Sequence, residues 1–207
     1  MQKIKIILFI ALLGAFSLTL QAQYAKTDST HKKWFVGSTL FLLGNFSKVN
    51  PPGFALVNFG YRITGKDVVS IEIKTWKHSW PLGINPFYNK AYGTPEEKFP
   101  GVIREYGVAL IYQRYLCKGL FIAVDATPMR QIYKNETGDK VGYGFIIFST
   151  NKVGYHIKLL KDKMFLQPGL ALAGRIYQGD MPADFKAKDD KWPKWTPEPS
   201  LNFGFNF

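Results

Sequence analysis

Cysteine, histidine and charge are all scarce in this chain of 207 residues, which holds one cysteine, Cys117, and three histidines. A lone thiol has no internal disulfide partner, and this excludes the stapled scaffolds of small secreted domains. One thiol and three scattered histidines also exclude a Cys/His zinc centre. Charged residues make up only 20% of the chain while aromatic residues reach 16%, a balance that excludes an intrinsically disordered protein. The mean hydropathy of −0.09 excludes a bundle of transmembrane helices. It leaves a membrane β-barrel open, because a barrel strand averages an apolar face with a polar one.

The N-terminus is a processing segment by its layout. Lys3 and Lys5 precede an apolar run from Ile6 to Leu20, which ends at Gln21-Ala22-Gln23 with a small residue before the expected cleavage point. That is the plan of a secretory signal peptide over residues 1–22. No cysteine follows closely enough for a lipoprotein. A short periplasmic segment, 23–33, is expected to lead into one domain, 34–207.

Within that domain the hydrophobic period is two. In Val68 to Lys77, Val69, Ile71, Ile73 and Thr75 fall on one face, and Ser70, Glu72, Lys74 and Trp76 on the other. Leu120, Ile122, Val124 and Ala126 oppose Phe121, Ala123, Asp125 and Thr127 in the same way. A helical stripe would recur at three and four, so these are strands. Eight such segments are expected, at 34–46, 53–64, 68–80, 104–116, 119–133, 141–160, 164–178 and 200–207. Thr64-Gly65-Lys66-Asp67, Cys117-Lys118-Gly119 and Lys161-Asp162-Lys163 read as tight turns. The other connections, near 47–52, 81–103, 134–140 and 179–199, are longer. They hold every proline except Pro128 and Pro168, as suits a residue that cannot donate to a ladder. No helix is demanded beyond the leader. The fold class is all-β: an eight-stranded antiparallel up-and-down transmembrane β-barrel preceded by a signal peptide.

In the last segment Leu201, Phe203, Phe205 and Phe207 alternate with Asn202, Gly204 and Asn206. Here the chain resembles small eight-stranded bacterial outer-membrane barrels of the OmpA and OmpX types, whose final strand ends in an aromatic residue. The likeness is architectural and spans nearly the whole domain. It implies a Gram-negative outer-membrane location, a C-terminal assembly signal at Phe203, Phe205 and Phe207, and a transient partner in the barrel-assembly machinery.

The less apolar face of the strands carries Glu72, Lys74, Glu105, Asp125, His156, Lys158 and Arg175. An eight-stranded interior is only wide enough for side chains, so these residues are expected to form a polar network that fills the lumen and specifies register. Glu72 and Lys74 are expected to pair with Arg175, Asp125 or Lys158, and His156 could meet Asp125. Trp34, Trp76, Trp80, Tyr106, Tyr112, Tyr143 and Tyr155 read as interfacial rings.

The net charge of +12 does not gather into a groove with interleaved aromatics, so nucleic-acid binding is not expected. Lys48, Lys77, Lys90, Lys134, Lys140 and Lys152 lie in or near the long loops, where lipopolysaccharide phosphates would meet them. Lipid A deacylases are barrels of similar size that use a His-x-Ser pair. None of His31, His78 or His156 is followed by Ser two residues on, and adjacent His78 and Ser79 would point to opposite faces of a strand. No catalytic residue, cofactor or metal is expected. The role read from the sequence is structural or surface-interacting, through long external loops that meet a protein or glycolipid. A lipid A-modifying enzyme with a non-standard site is the alternative.

Overall fold

The computed structural model describes residues 32–48, 51–82 and 94–207. The expected signal peptide, 1–22, and most of the expected 23–33 segment lie outside the described residues. Nine strands form: β1 (Trp34–Thr39), β2 (Ala55–Arg62), β3 (Asp67–His78), β4 (Val102–Cys117), β5 (Leu120–Lys134), β6 (Lys140–Tyr155), β7 (Ile157–Leu159), β8 (Met164–Gln178) and β9 (Trp195–Asn206). Short β7 continues β6 past an interruption at His156, and both pair with β8, so the nine segments make eight barrel strands. β1 pairs with β2 and β9, and β6 with β5 and β8, each antiparallel, so the sheet closes on itself. Closure leaves no exposed sheet edge along most of the wall.

Local chemistry explains the short turns. Thr64 Oγ1 accepts from the backbone N–H of Lys66 and Asp67 (3.0 and 2.9 Å) and donates to Asp67 Oδ2 (2.7 Å). Lys118 and Gly119 take positive φ (43° and 93°) between β4 and β5, the backbone that matches the twist of two paired strands.

Two ends of the expected strand map differ. The first strand stops at Thr39 and continues as a 3₁₀ helix, Leu40–Phe46. Asn45 there holds Phe54 by both backbone polar groups, accepting from its N–H and donating to its C=O at 2.7 Å each, so a side chain substitutes for a strand partner. The last strand begins at Trp195, not at 200. It therefore includes Pro197 and Pro199, which stand opposite Leu172 and Leu170. β1 reaches β9 only as far as Asn202, so the proline stretch is paired on one side alone, where a missing N–H is tolerated. The long connection before β9 also carries a helix, α1 (Ala183–Asp189). Period-two reasoning had demanded none, because this helix is stabilised by what it covers.

The interior has two layers. At the turn end Val68, Ala109, Ile111, Tyr115, Phe121 and Ala123 pack with Phe35 into an apolar core. Its large rings fit because their neighbours lack side chains. A Cβ on Gly60 would stand 1.9 Å from the Phe35 ring, and one on Gly204 would stand 2.3 Å from Phe165. Arg62 closes this end, donating to Asn206 Oδ1 (2.9 Å) and lying over Phe35 at 5.1 Å. At the loop end Phe185 of α1 inserts against Phe99, Ile103 and Tyr133.

Candidate functional site in the barrel interior

Between these two layers lies a cavity of about 170 Å³ in the loop-side half of the barrel. Strand alternation builds it, since Glu72, Lys74, Trp76 and His78 recur every second residue along β3 and all face inward. Phe41, Phe54, Leu56, Met129, Ile146 and Phe148 supply apolar wall. The lumen is thus not filled throughout, as the sequence reading had it. It is plugged at the turn end and hollow toward the loops.

The expected network resolves into separate clusters. Lys74 Nζ pairs with Glu72 Oε1 at 3.2 Å, within one strand rather than with Arg175, Asp125 or Lys158. Lys152 and Glu198 line the same cavity. Asp125 accepts from the backbone N–H of Thr150 at 2.8 Å. Arg175 donates to Asp189 at the end of α1, which ties the covering loop to the wall. His156 sits at the turn end, away from Asp125, with Nδ1 3.2 Å from Tyr115 Oη and 3.0 Å from Gln167 Nε2, and its ring stacks on Phe165 at 5.1 Å. Lys158 is exposed and pairs with Asp162 in the β7–β8 turn at 3.3 Å.

Glu105 anchors a cluster with members that the sequence did not reveal. It accepts hydrogen bonds from Trp76 and from Gln131 Nε2 (2.6 Å), and His78 Nε2 lies 3.7 Å away. Gln131 in turn accepts from Tyr133 (2.7 Å) and Gln178 (2.8 Å). Trp76 therefore points into the barrel and is not an interfacial ring. The signal was present, since Trp76 shares the face of Glu72 and Lys74. Its ring chemistry suggested the interface, but the buried carboxylate at the matching level of β4 attracts its N–H.

The outer wall is different in kind. Val57, Ile71, Ile73, Val108, Leu110, Val124, Leu170 and Leu172 all face outward and are exposed. Trp34 and Tyr61, in contact at 4.6 Å, ring this band near the turn end with Tyr112. Tyr106, Tyr143, Tyr177 and Trp195 ring it near the loop end. Phe205 and Phe207 also face outward, and the backbone of Phe207 exchanges two hydrogen bonds with Trp34 (2.9 and 3.2 Å).

The cavity can hold water or a small guest, while the turn-end core blocks a through passage. Among the described residues no group of three or more His, Cys, Asp or Glu is placed to hold a metal ion. His78 and His156 both face the lumen, and His31 lies outside the described residues.

The Arg175–Asp189 pair is the contact to break to test how the covering loop is held. Asp189→Ala leaves a partly buried guanidinium unpaired, at a cost of about 1–3 kcal/mol. Tryptic cleavage at Lys186, Lys188 or Lys191 is expected to speed up roughly ten- to hundredfold, with the barrel intact. An unchanged cleavage rate would show that the remaining contacts, Phe185 in the loop-end core and Trp192 Nε1 donating to Glu97 Oε2 at 3.0 Å, hold the loop without this pair.

No protein-family model matches the chain, and no curated protein or solved structure matches it either.

Proposed function

We propose that this chain is a bacterial outer-membrane β-barrel whose role is structural or surface-interacting, exercised through its long loops. One observation carries the reading. An apolar, uncharged band encircles the outer wall between two aromatic rings, while charges face inward or cluster at the ends of the strands. In water such a band would be an aggregation surface far beyond the apolar patches of soluble monomers. In a bilayer it is the surface that contacts lipid. The partners on this reading are the bilayer and its lipopolysaccharide, the barrel-assembly machinery during biogenesis, and a protein or glycolipid met by the loops. No catalytic step is assigned. Mass spectrometry of lipid A with and without the protein tests that point, and a changed acyl pattern would replace this reading by the enzymatic one.

Membrane insertion is tested by gel mobility. The membrane-fraction protein is expected to migrate differently before and after boiling, whereas recovery in the soluble fraction would end the proposal. The single cysteine tests orientation. Cys117 is exposed at the turn end of β4, so with the turns in the periplasm a membrane-impermeant maleimide labels it only after the outer membrane is permeabilised. Labelling in intact cells would invert the topology.

A further inference from the structure

Five cations gather on one sector of the outer wall, at the loop end of four consecutive strands. They are Lys77 on β3, Arg104 on β4, Arg130 and Lys134 on β5, and Lys140 on β6. The sheet register makes them neighbours. Lys77 stands directly opposite Arg104, and Lys134 is matched with Lys140 across a register shift. Like charges that face one another across a ladder destabilise a sheet, so these matched cations call for a counter-charge.

Two carboxylates, Glu136 and Asp139, lie in the turn between Lys134 and Lys140, but Glu136 reaches Lys98 at 3.9 Å and Asp139 accepts from Thr137 Oγ1 at 2.6 Å. None of the five is in an ion pair among the described residues, although Lys98, Arg114, Lys158 and Lys191 all have carboxylate partners. The stretch 83–93 contains no aspartate or glutamate. Three of the five rest on aromatic rings instead. Arg104 lies over Tyr106 at 5.4 Å, and Arg130 and Lys140 share the Tyr143 ring at 4.6 and 4.7 Å. Lys140 also donates to Tyr143 Oη (2.6 Å), and Arg104 to the Gly53 carbonyl (3.0 Å). Ring faces hold cations in place without neutralising them. At the turn end the outward-facing arginine, Arg114, is paired with Asp67 at 2.7 Å. Lys66, Lys118, Lys161 and Lys163 at that end are also without an ion pair among the described residues, but they lie in hairpin turns and do not face one another across a ladder.

We infer that Arg104, Arg130 and Lys140, flanked by Lys77 and Lys134, form a binding site for the phosphate groups of an outer-leaflet glycolipid. The inference rests on the membrane reading and deepens it. Tyr106 and Tyr143 belong to the loop-side aromatic ring, so the cations sit at the depth of headgroups. Guanidinium groups can grip phosphate oxygens bidentately, and the apolar wall below them, from Val108 to Leu110, lies where acyl chains descend. The opposed like charges are then neutralised by the lipid and not by the protein.

The test uses the full chain in detergent, with bis-phosphorylated lipid A and its dephosphorylated form as probes and native mass spectrometry to count bound lipid. The barrel is expected to prefer the phosphorylated form at least tenfold, and to lose that preference as salt rises. The triple variant Arg104→Gln, Arg130→Gln, Lys140→Gln is expected to bind it at least tenfold more weakly. Lys118→Gln, Lys161→Gln, Lys163→Gln removes equal charge from the turn end and is expected to change binding less than twofold. A folding midpoint in neutral micelles that holds or rises in the first triple variant confirms that the barrel survives. Equal affinity for the two lipids, or equal loss in both triple variants, overturns the inference. Insertion into phosphatidylcholine vesicles, which lack the glycolipid, is scored separately. If the chain inserts there but shows no phosphate preference, only this inference falls. If it does not insert, the membrane reading falls and the inference with it.

Discussion

Arginine in place of Leu110 is expected to lower the folding stability of the barrel in phosphatidylcholine vesicles by about 2–4 kcal/mol, the cost of a cation at the bilayer midplane. Leu110 is 67% exposed, lies near the middle of β4, and stands between Ile71 and Ala126 on the outer wall. The same change at a water-facing position would shift stability by no more than about 0.5 kcal/mol. The expectation therefore separates the two solvents cleanly. Depth gives an internal control. Ile63 stands just past the turn end of β2 on the outer wall and is 55% exposed, and Ile63→Arg is expected to cost only about 0–1 kcal/mol, as near an interface. Urea titrations of vesicle-embedded protein measure both. An unchanged midpoint for Leu110→Arg, or equal losses at the two positions, would mean that the apolar band does not face lipid.

The second large effect is internal. Glu105→Ala is expected to destabilise the barrel by about 3–5 kcal/mol, the usual consequence of removing one partner from a buried charged cluster. Glu105 is 3% exposed, and its loss strands the Trp76 N–H, the Gln131 amide and His78 together. The alanine also enlarges the adjoining cavity. Glu105→Gln keeps the shape and one carbonyl acceptor, and is expected to cost less than half as much, because only the charge-assisted part of the bonding is lost. The shift in urea midpoint, read from tryptophan fluorescence, measures both variants. A loss under about 1 kcal/mol for the alanine would show that water from the cavity replaces the carboxylate.

The two variants probe the two faces of a single strand, and those faces were not equally legible. The outer face could be read almost residue by residue. Val108 and Leu110 followed from the period of two, since a strand has only two sides and an outward side chain needs no particular partner. The inner face could be read for membership and not for pairing. Glu72, Lys74, Glu105, Asp125 and Arg175 face inward as expected of alternate positions. Their partners depend on register and height across strands distant in sequence. Glu72 meets Lys74 on its own strand, Arg175 meets Asp189 from a helix, and Lys158 turns out to the β7–β8 turn. Trp76 was misplaced for the same reason, because its residue type suggested the interface and its cross-strand neighbour Glu105 decided otherwise.

The sequence by itself determined the class of fold: strand number, antiparallel order, which connections are tight, and which face of each strand is apolar. These follow from short-range physics, namely alternation, turn chemistry and the placement of proline. Only the tertiary structure decided that the lumen is plugged at one end and hollow at the other, that α1 covers the hollow end, and that β9 begins early enough to carry two prolines. It also brought five cations from four strands onto one sector with no ion pair among the described residues. Those features are set by which residues stand at the same height around a closed ring, and strand-to-strand register is a long-range quantity that no local pattern contains.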